Sequence, residues 1–286
     1  DSIEIRPYMN IEYLTGKMIA IVVMGIGVNI LVVLATMLFH VNIPSPEFTL
    51  FPYVFYLVTL NVPTLLFWVG ISFFMVHVVR IPFLALFILL GYLLLNTFIL
   101  SNVAYGSIDV WSTDVPNVFS SLTGHVGPGL YLLQRFSFVV LAGGMLLGSV
   151  IFQKRLTDRE RCFRKLLGVA IGAVVLGGML GYGYYSHYEE MNQKRKDYLV
   201  QYEKNRPEQN IEIKSQDIVF KQEGDQIMVV DDLILENNCS RKIEKIGLFL
   251  NPGLQVEQIK TEDRVIDFVR EKQVLVLEEC FLPHEV

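Results

Sequence analysis

From Met18 to Phe39 the chain runs 22 residues without a single Asp, Glu, Lys or Arg. A stretch of about 20 mostly apolar residues is what crossing a bilayer as a helix requires, because no water is present there to satisfy exposed backbone groups. Similar runs follow, and they constrain the fold more than any other feature. Candidate spans are 18–39, a stretch within 50–79, then 82–100, 130–152 and 166–185. The second is longer than one crossing needs and carries Pro52 and Pro63, which leaves open one kinked helix or two pieces with an interfacial or re-entrant start.

Composition agrees once it is divided. The chain of 286 residues is 52% apolar and only 19% charged. Residues 1–188 hold 10 of its 24 Lys and Arg, and the remaining residues hold 14. A net charge of -5 supplies no basic field for phosphates, which argues against a nucleic-acid partner. The expected architecture is a membrane α-helical bundle of about five spans in 1–185. A helical stalk in 186–207 and an extracytoplasmic antiparallel, sandwich-like β-domain in 208–286 follow it.

Charge distribution orients the spans. At alternating ends stand Arg6, Lys17, Arg80, Lys154, Arg155, Arg159, Arg161, Arg164 and Lys165, while the opposite loops, 41–49 and 101–129, contain no Lys or Arg. By the positive-inside rule the basic side is cytoplasmic, so an odd number of spans places everything after residue 186 outside. The chain opens on Asp1 with no secretory leader and stops at Val286 within strand-like sequence, which suggests a fragment of a longer polypeptide.

Ionisable groups inside a membrane mark pathways and relays. Here the first, third and fifth spans carry no Asp, Glu, Lys or Arg, the second has only His77, and the fourth has Arg135 near its outer end. Arg135 reads either as a side chain snorkelling to the outer interface or as a participant in substrate passage or helix pairing. His40 and His77 fall at opposite ends of their spans, so they cannot clamp one haem. No midplane carboxylate is present to couple an ion gradient. Gly144 and Gly148, and Gly168, Gly172, Gly177 and Gly181, recur at helical spacing and point to close packing, within the bundle or between two copies. The inner loop 153–165 is either a solvated turn with its arginines on headgroups or a docking segment for a cytoplasmic partner.

Three segments carry a resemblance. Pro7-Tyr-Met-Asn-Ile-Glu-Tyr-Leu-Thr-Gly-Lys17 resembles the cytoplasmic lead into the third helix of type 2 ABC-exporter permeases. Asn61-Val-Pro-Thr-Leu-Leu-Phe-Trp-Val-Gly is similar to the next helix of that family. The stretch from Pro116 through Gly127, with Leu132-Leu-Gln-Arg135, looks like its outer loop and last common helix. The resemblance implies a separate cytoplasmic ABC ATPase subunit that carries the ATP, a second permease domain, and a bacterial inner-membrane location. It makes Gly16, Lys17, Arg80, Arg155 and Arg159 candidates for coupling to the ATPase, and His125 and Arg135 candidates for the outer loop or pore. Gly16-Lys17 is followed by Met18, not Ser or Thr, so these residues form no phosphate loop and no cofactor is expected on this chain.

Beyond the spans, period-two alternation predicts strands at 211–220, 226–236, 245–250, 255–260, 264–268 and 273–278, with Leu254, Val256 and Ile259 in the core. The run from Asp232 to Val256 resembles the opening of the N-terminal β-domain of aminopeptidase N-like zinc peptidases. The family's H-E-x-x-H pair is not matched by His284-Glu285, so no catalytic metal is expected and the domain would scaffold or bind. Cys239 and Cys280 share the outer side, either bridged or as two thiols. Two functions therefore compete: the permease subunit of an ATP-driven exporter, and a membrane-anchored extracytoplasmic interaction or peptidase-like module.

Overall fold

The computed structural model describes residues 10–43, 48–113, 115, 119–120, 124–125, 127–153, 163–204, 211–224, 226–238, 240–261, 264–279 and 282–283. Two compact units result, residues 1–189 and 190–286. The coupling candidates Arg155 and Arg159 and the cysteines Cys239 and Cys280 lie outside the described residues.

The first unit is helical. Its elements are α1 (Asn10–Val41), α2 (Phe51–Tyr56), a π-turn (Leu57–Asn61), α3 (Val62–Val79), α4 (Pro82–Phe98), α5 (Pro128–Phe152) and the beginning of α6 (Phe163–Lys204). Short paired strands β1 (Phe119–Ser120) and β2 (Gly124–His125) lie between α4 and α5. Among the described residues four helical stretches are long and apolar enough to cross a membrane: Glu12–Val41, Phe51–Val79, Pro128–Phe152 and Arg164–Lys204. The expected third span is the shorter apolar helix α4, of 17 residues. The stretch 51–79 is one continuous helical run, not two pieces. Pro52 sits in the first turn of α2, where its missing N–H is no loss, and the π-turn precedes Pro63.

Contacts along the helices set their directions. Phe67 meets Phe138 at 5.0 Å between centroids, and Phe74 meets Phe152 at 6.1 Å, so α3 and α5 run parallel. A chain that packs two successive long helices parallel must return between them, and α4 does so. Tyr92 packs on Trp68 at 5.5 Å, and Asn96 reaches the loop beside Thr64. Near the other end, Leu14 and Met18 of α1 join Val69, Leu146 and Val150 in one buried cluster, with Leu166 of α6 against it. Directions therefore alternate from α1 through α6. Lys17, Arg80, Arg164 and Lys165 gather at one end of the bundle, and residues 99–113, 119–120 and 124–125 lie at the other.

Glycines make the closest approaches. A methyl group on Gly70 would lie 2.9 Å from the carbonyl oxygen of Ala142 and 3.0 Å from its Cα, so α3 and α5 touch backbone to backbone. Gly144 and Gly177 seat α6 on α5 in the same way, against Val174 and Leu141. Gly168 and Gly172, by contrast, face open space. Large apolar side chains cover the outside: Val23, Leu31, Leu38 and Phe39 of α1, and Phe83, Leu86 and Phe87 of α4, are exposed. Apolar surface of this extent is what a helix presents to lipid tails.

In the second unit α6 continues to Lys204 and is followed by β3 (Ile211–Glu223), β4 (Gln226–Asn237), β5 (Ile246–Phe249), β6 (Phe268–Glu271) and β7 (Val274–Leu277). β3 and β4 form a long antiparallel ribbon turned at Gly224 (φ 63°), with a bulge at Lys214. At the bulge the Lys214 ammonium reaches Glu236 at 2.6 Å and Glu212 at 3.3 Å. Those two hydrogen bonds hold Lys214 above the usual lysine range. The remaining described strands form a three-stranded antiparallel sheet, ordered β5-β7-β6, and Ile211 of β3 and Leu235 of β4 pack on its core. The segment 255–260 is not a strand; its part in pairing is one bridge, Lys260 to Val265. Leu254 is 42% exposed and outside the core, because the turn held by Asn251 carries it outward. Val256 and Ile259 do pack on the core of Ile243, Ile246, Ile266, Leu275 and Leu277. Leu277→Ala should therefore lower stability by about 2–4 kcal/mol and Leu254→Ala by less than about 0.5 kcal/mol. Thermal melts of the two variants check this.

Candidate functional site: a loop anchored inside the bundle

After α4 the backbone turns sharply through Ala104 (φ 53°), Tyr105 (φ 57°) and Gly106 (φ 75°), and again at Ser112 (φ 60°). Left-handed backbone is costly for Ala, Tyr and Ser, on the order of 1 kcal/mol each, and persists only where the surroundings fix it. Here they do. Gly106, Asp109, Val110 and Ser112 are buried, Asp109 and Val110 completely. Non-helical backbone at this depth needs a donor for its carbonyls.

Beside the loop's own turn amides, the donors come from helix side chains. Tyr184 of α6 donates to the carbonyl of Tyr105 at 3.0 Å. Gln134 of α5 donates to Gly106 at 2.9 Å and Asp109 at 3.0 Å. Asn96 of α4 donates to Ile108 at 3.0 Å and accepts from the Val110 amide at 3.3 Å. Thr64 of α3 donates to Val110 at 2.9 Å. Arg135 completes the set, its Nη2 on the Asp109 carbonyl at 2.7 Å and its Nη1 on that of Val110 at 2.8 Å, with Nε on the Gln134 side chain at 2.5 Å. The Asp109 carboxylate accepts the amides of Trp111 and Thr113, at 2.9 and 2.5 Å. Four helices thus clamp one loop.

This corrects the snorkelling reading of Arg135. Its side chain is 1% exposed and is hydrogen-bonded to the loop instead of reaching out of the bundle. His125 is held in a cage of Phe55 (5.2 Å), Tyr131 (5.4 Å) and Tyr56 (6.1 Å), and neither ring nitrogen has a hydrogen-bond partner among the described residues. Thr64, Asn96, Gln134 and Tyr184 are invisible to a search for charges in the spans. Their signal is subtler: one neutral polar residue near the same end of successive spans.

The described coupling candidates Gly16, Lys17 and Arg80 sit at the basic end. Lys17 lies 4.2 Å over the Tyr13 ring, and Gly16 beside it faces open space. Arg80 caps α3 in the left-handed conformation (φ 60°), its amide bonded to Val76, before the extended Ile81 that Pro82 requires. Between the two ends, Asn61 donates to Asn29 of α1 at 3.0 Å, and Asn29 donates to Gly25 at 2.9 Å. A double-mutant cycle of Asn29→Leu and Asn61→Leu should give a coupling of about 0.6 kcal/mol, the usual worth of an interhelical hydrogen bond in lipid. Detergent-denaturation curves of the four proteins measure it. No family model, curated protein or solved structure matches this chain.

Proposed function

We propose that the chain is the transmembrane subunit of an ATP-driven exporter of the ABC type, placed in a bacterial cytoplasmic membrane. The resemblance of residues 7–17, 61–70 and 116–135 to type 2 permeases suggests it. The observation that carries the reading is the alternation of helix directions, which collects Lys17, Arg80, Arg164 and Lys165 at one end and leaves the loops of the other end free of Lys and Arg. In this reading α4 is a fifth traversal, about 26 Å long and at the lower end of the range for a spanning helix. The second unit then lies outside the cell. The apolar runs 18–39, 50–79, 82–100, 130–152 and 166–185 contain no carboxylate to couple an ion gradient, so the driving force comes from ATP hydrolysis on a partner at the basic end, with a second permease domain completing the pathway.

Affinity purification from native membranes tests this. A nucleotide-binding subunit should co-purify, and its ATP turnover should depend on this chain. Purification without any ATPase, and turnover indifferent to the chain, would remove the exporter reading. The competing reading, a membrane-anchored interaction module, draws on the exposed apolar side chains of the β3–β4 ribbon, among them Phe220, Ile227 and Val230. Recovery of an extracytoplasmic protein in place of the ATPase would favour it.

A further inference from the structure

The π-turn between α2 and α3 is held from both sides. The Val62 amide donates to the carbonyl of Leu57, five residues back, and not to that of Val58. The next residue is the buried Pro63, which has no N–H and whose ring, in a regular α-helix, meets the carbonyl of Thr59. The wide turn avoids that clash but leaves a carbonyl before Pro63 without its helical donor. The α form restores the register at the cost of the clash. Neither form satisfies the segment fully, which is the condition for two states of similar energy.

Neighbouring contacts grip the two sides of the turn separately. Above it, the Tyr53 hydroxyl meets Nδ1 of His40 at 2.7 Å, and Phe55 packs on Tyr131 and His125. At the turn, Thr59 donates to the Phe55 carbonyl at 2.7 Å and shares a hydrogen bond of 3.0 Å with the Tyr131 hydroxyl. At its last residue, Asn61 holds Asn29.

We propose that the Leu57–Asn61 π-turn is a two-position joint that rotates α2 against α3. Closing the π-turn into an α-turn absorbs one residue of register. With α3 fixed, α2 turns by about 100° and rises by about 1.5 Å. Each side chain then takes the place of its predecessor: Val54 replaces Tyr53 opposite His40, and Tyr56 replaces Phe55 opposite Tyr131 and His125. The aromatic cage around His125 is dismantled by the same movement, so the joint governs how tightly this end of the bundle is shut. It rests on helix geometry and is independent of the ATPase reading.

Cross-linking of the full chain in lipid nanodiscs tests the joint, with Cys162, Cys239 and Cys280 replaced by Ser. The pairs are His40→Cys with Tyr53→Cys and His40→Cys with Val54→Cys, treated with a short bifunctional thiol reagent. With the native turn both pairs should cross-link, the Tyr53 pair faster. Pro63→Ala removes the clash and should shift the ratio of rates toward the Val54 pair by about tenfold or more. A Val54 pair that fails to cross-link with the native turn overturns the proposal even if Pro63→Ala does not fold. A ratio unchanged by a well-folded Pro63→Ala overturns it as well.

Discussion

Gly70→Leu should prevent α3 and α5 from closing on each other, with a large loss of stability. The methyl position at Gly70 is 2.9 Å from a backbone oxygen and 3.0 Å from a backbone carbon of Ala142, neither of which can swing aside. Relief requires the helices to separate over the length where Phe67 packs on Phe138 and Phe74 on Phe152. Overpacking a core costs about 1–3 kcal/mol when side chains can adjust, and more where backbone must move. A fall in Tm of roughly 10 °C or more is expected. Gly172→Leu is the control, since nothing lies near that position, and its Tm should stay within a few degrees of the parent. Equal melting temperatures for Gly70→Leu and Gly172→Leu would refute the backbone contact.

Arg135→Leu should release the loop 104–113 from the bundle. The substitution removes one of three donors on the Asp109 carbonyl and one of two on that of Val110, and orphans the Gln134 side-chain oxygen, all of them buried. An abandoned buried polar group costs about 1–3 kcal/mol, so a total near 2–4 kcal/mol is expected. Part of that loss should appear as local opening rather than global unfolding, because left-handed backbone at Ala104, Tyr105 and Ser112 is ready to relax. Ser112 is 3% exposed and serves as the reporter. Ser112→Cys should react slowly with a water-soluble maleimide in the parent and about tenfold or more faster beside Arg135→Leu. Arg135→Lys keeps the charge but cannot fork to two carbonyls, and should fall between them.

Much of the bundle is legible in the sequence, and the reason is physical. Charge-free runs such as 18–39 have one stable solution in lipid, and a lysine at residue 17 or an arginine at residue 80 can rest only at an end. Polar positions of the second unit are legible where a turn residue fixes the chain, as at Gly224. What cannot be read depends on meetings between distant segments. Arg135 reads as a snorkelling side chain because its partners, the carbonyls of Asp109 and Val110, carry no residue-type signal. Gly70 stands in no glycine repeat, yet makes the closest approach to another helix's backbone, while the repeat members Gly168 and Gly172 touch nothing. Leu254 alternates like a core residue, but the Asn251 turn carries it away. Pro63 announces an irregularity, but its form, a widened turn instead of a break, follows from the grip of Tyr131 and Asn29 on either side.

In the proposed topology, alternation of the helices across a membrane puts Lys165 on one side and both Asn102 and Gln193 on the other. Single cysteines at these three positions, in a chain otherwise without cysteine, can be labelled in intact cells by a membrane-impermeant maleimide, since all three side chains are exposed or partly exposed. Asn102→Cys and Gln193→Cys should label from outside, and Lys165→Cys only after the membrane is opened. Labelling of Lys165→Cys together with Gln193→Cys from the same side would contradict the crossing of α6, and with it the account of the bundle.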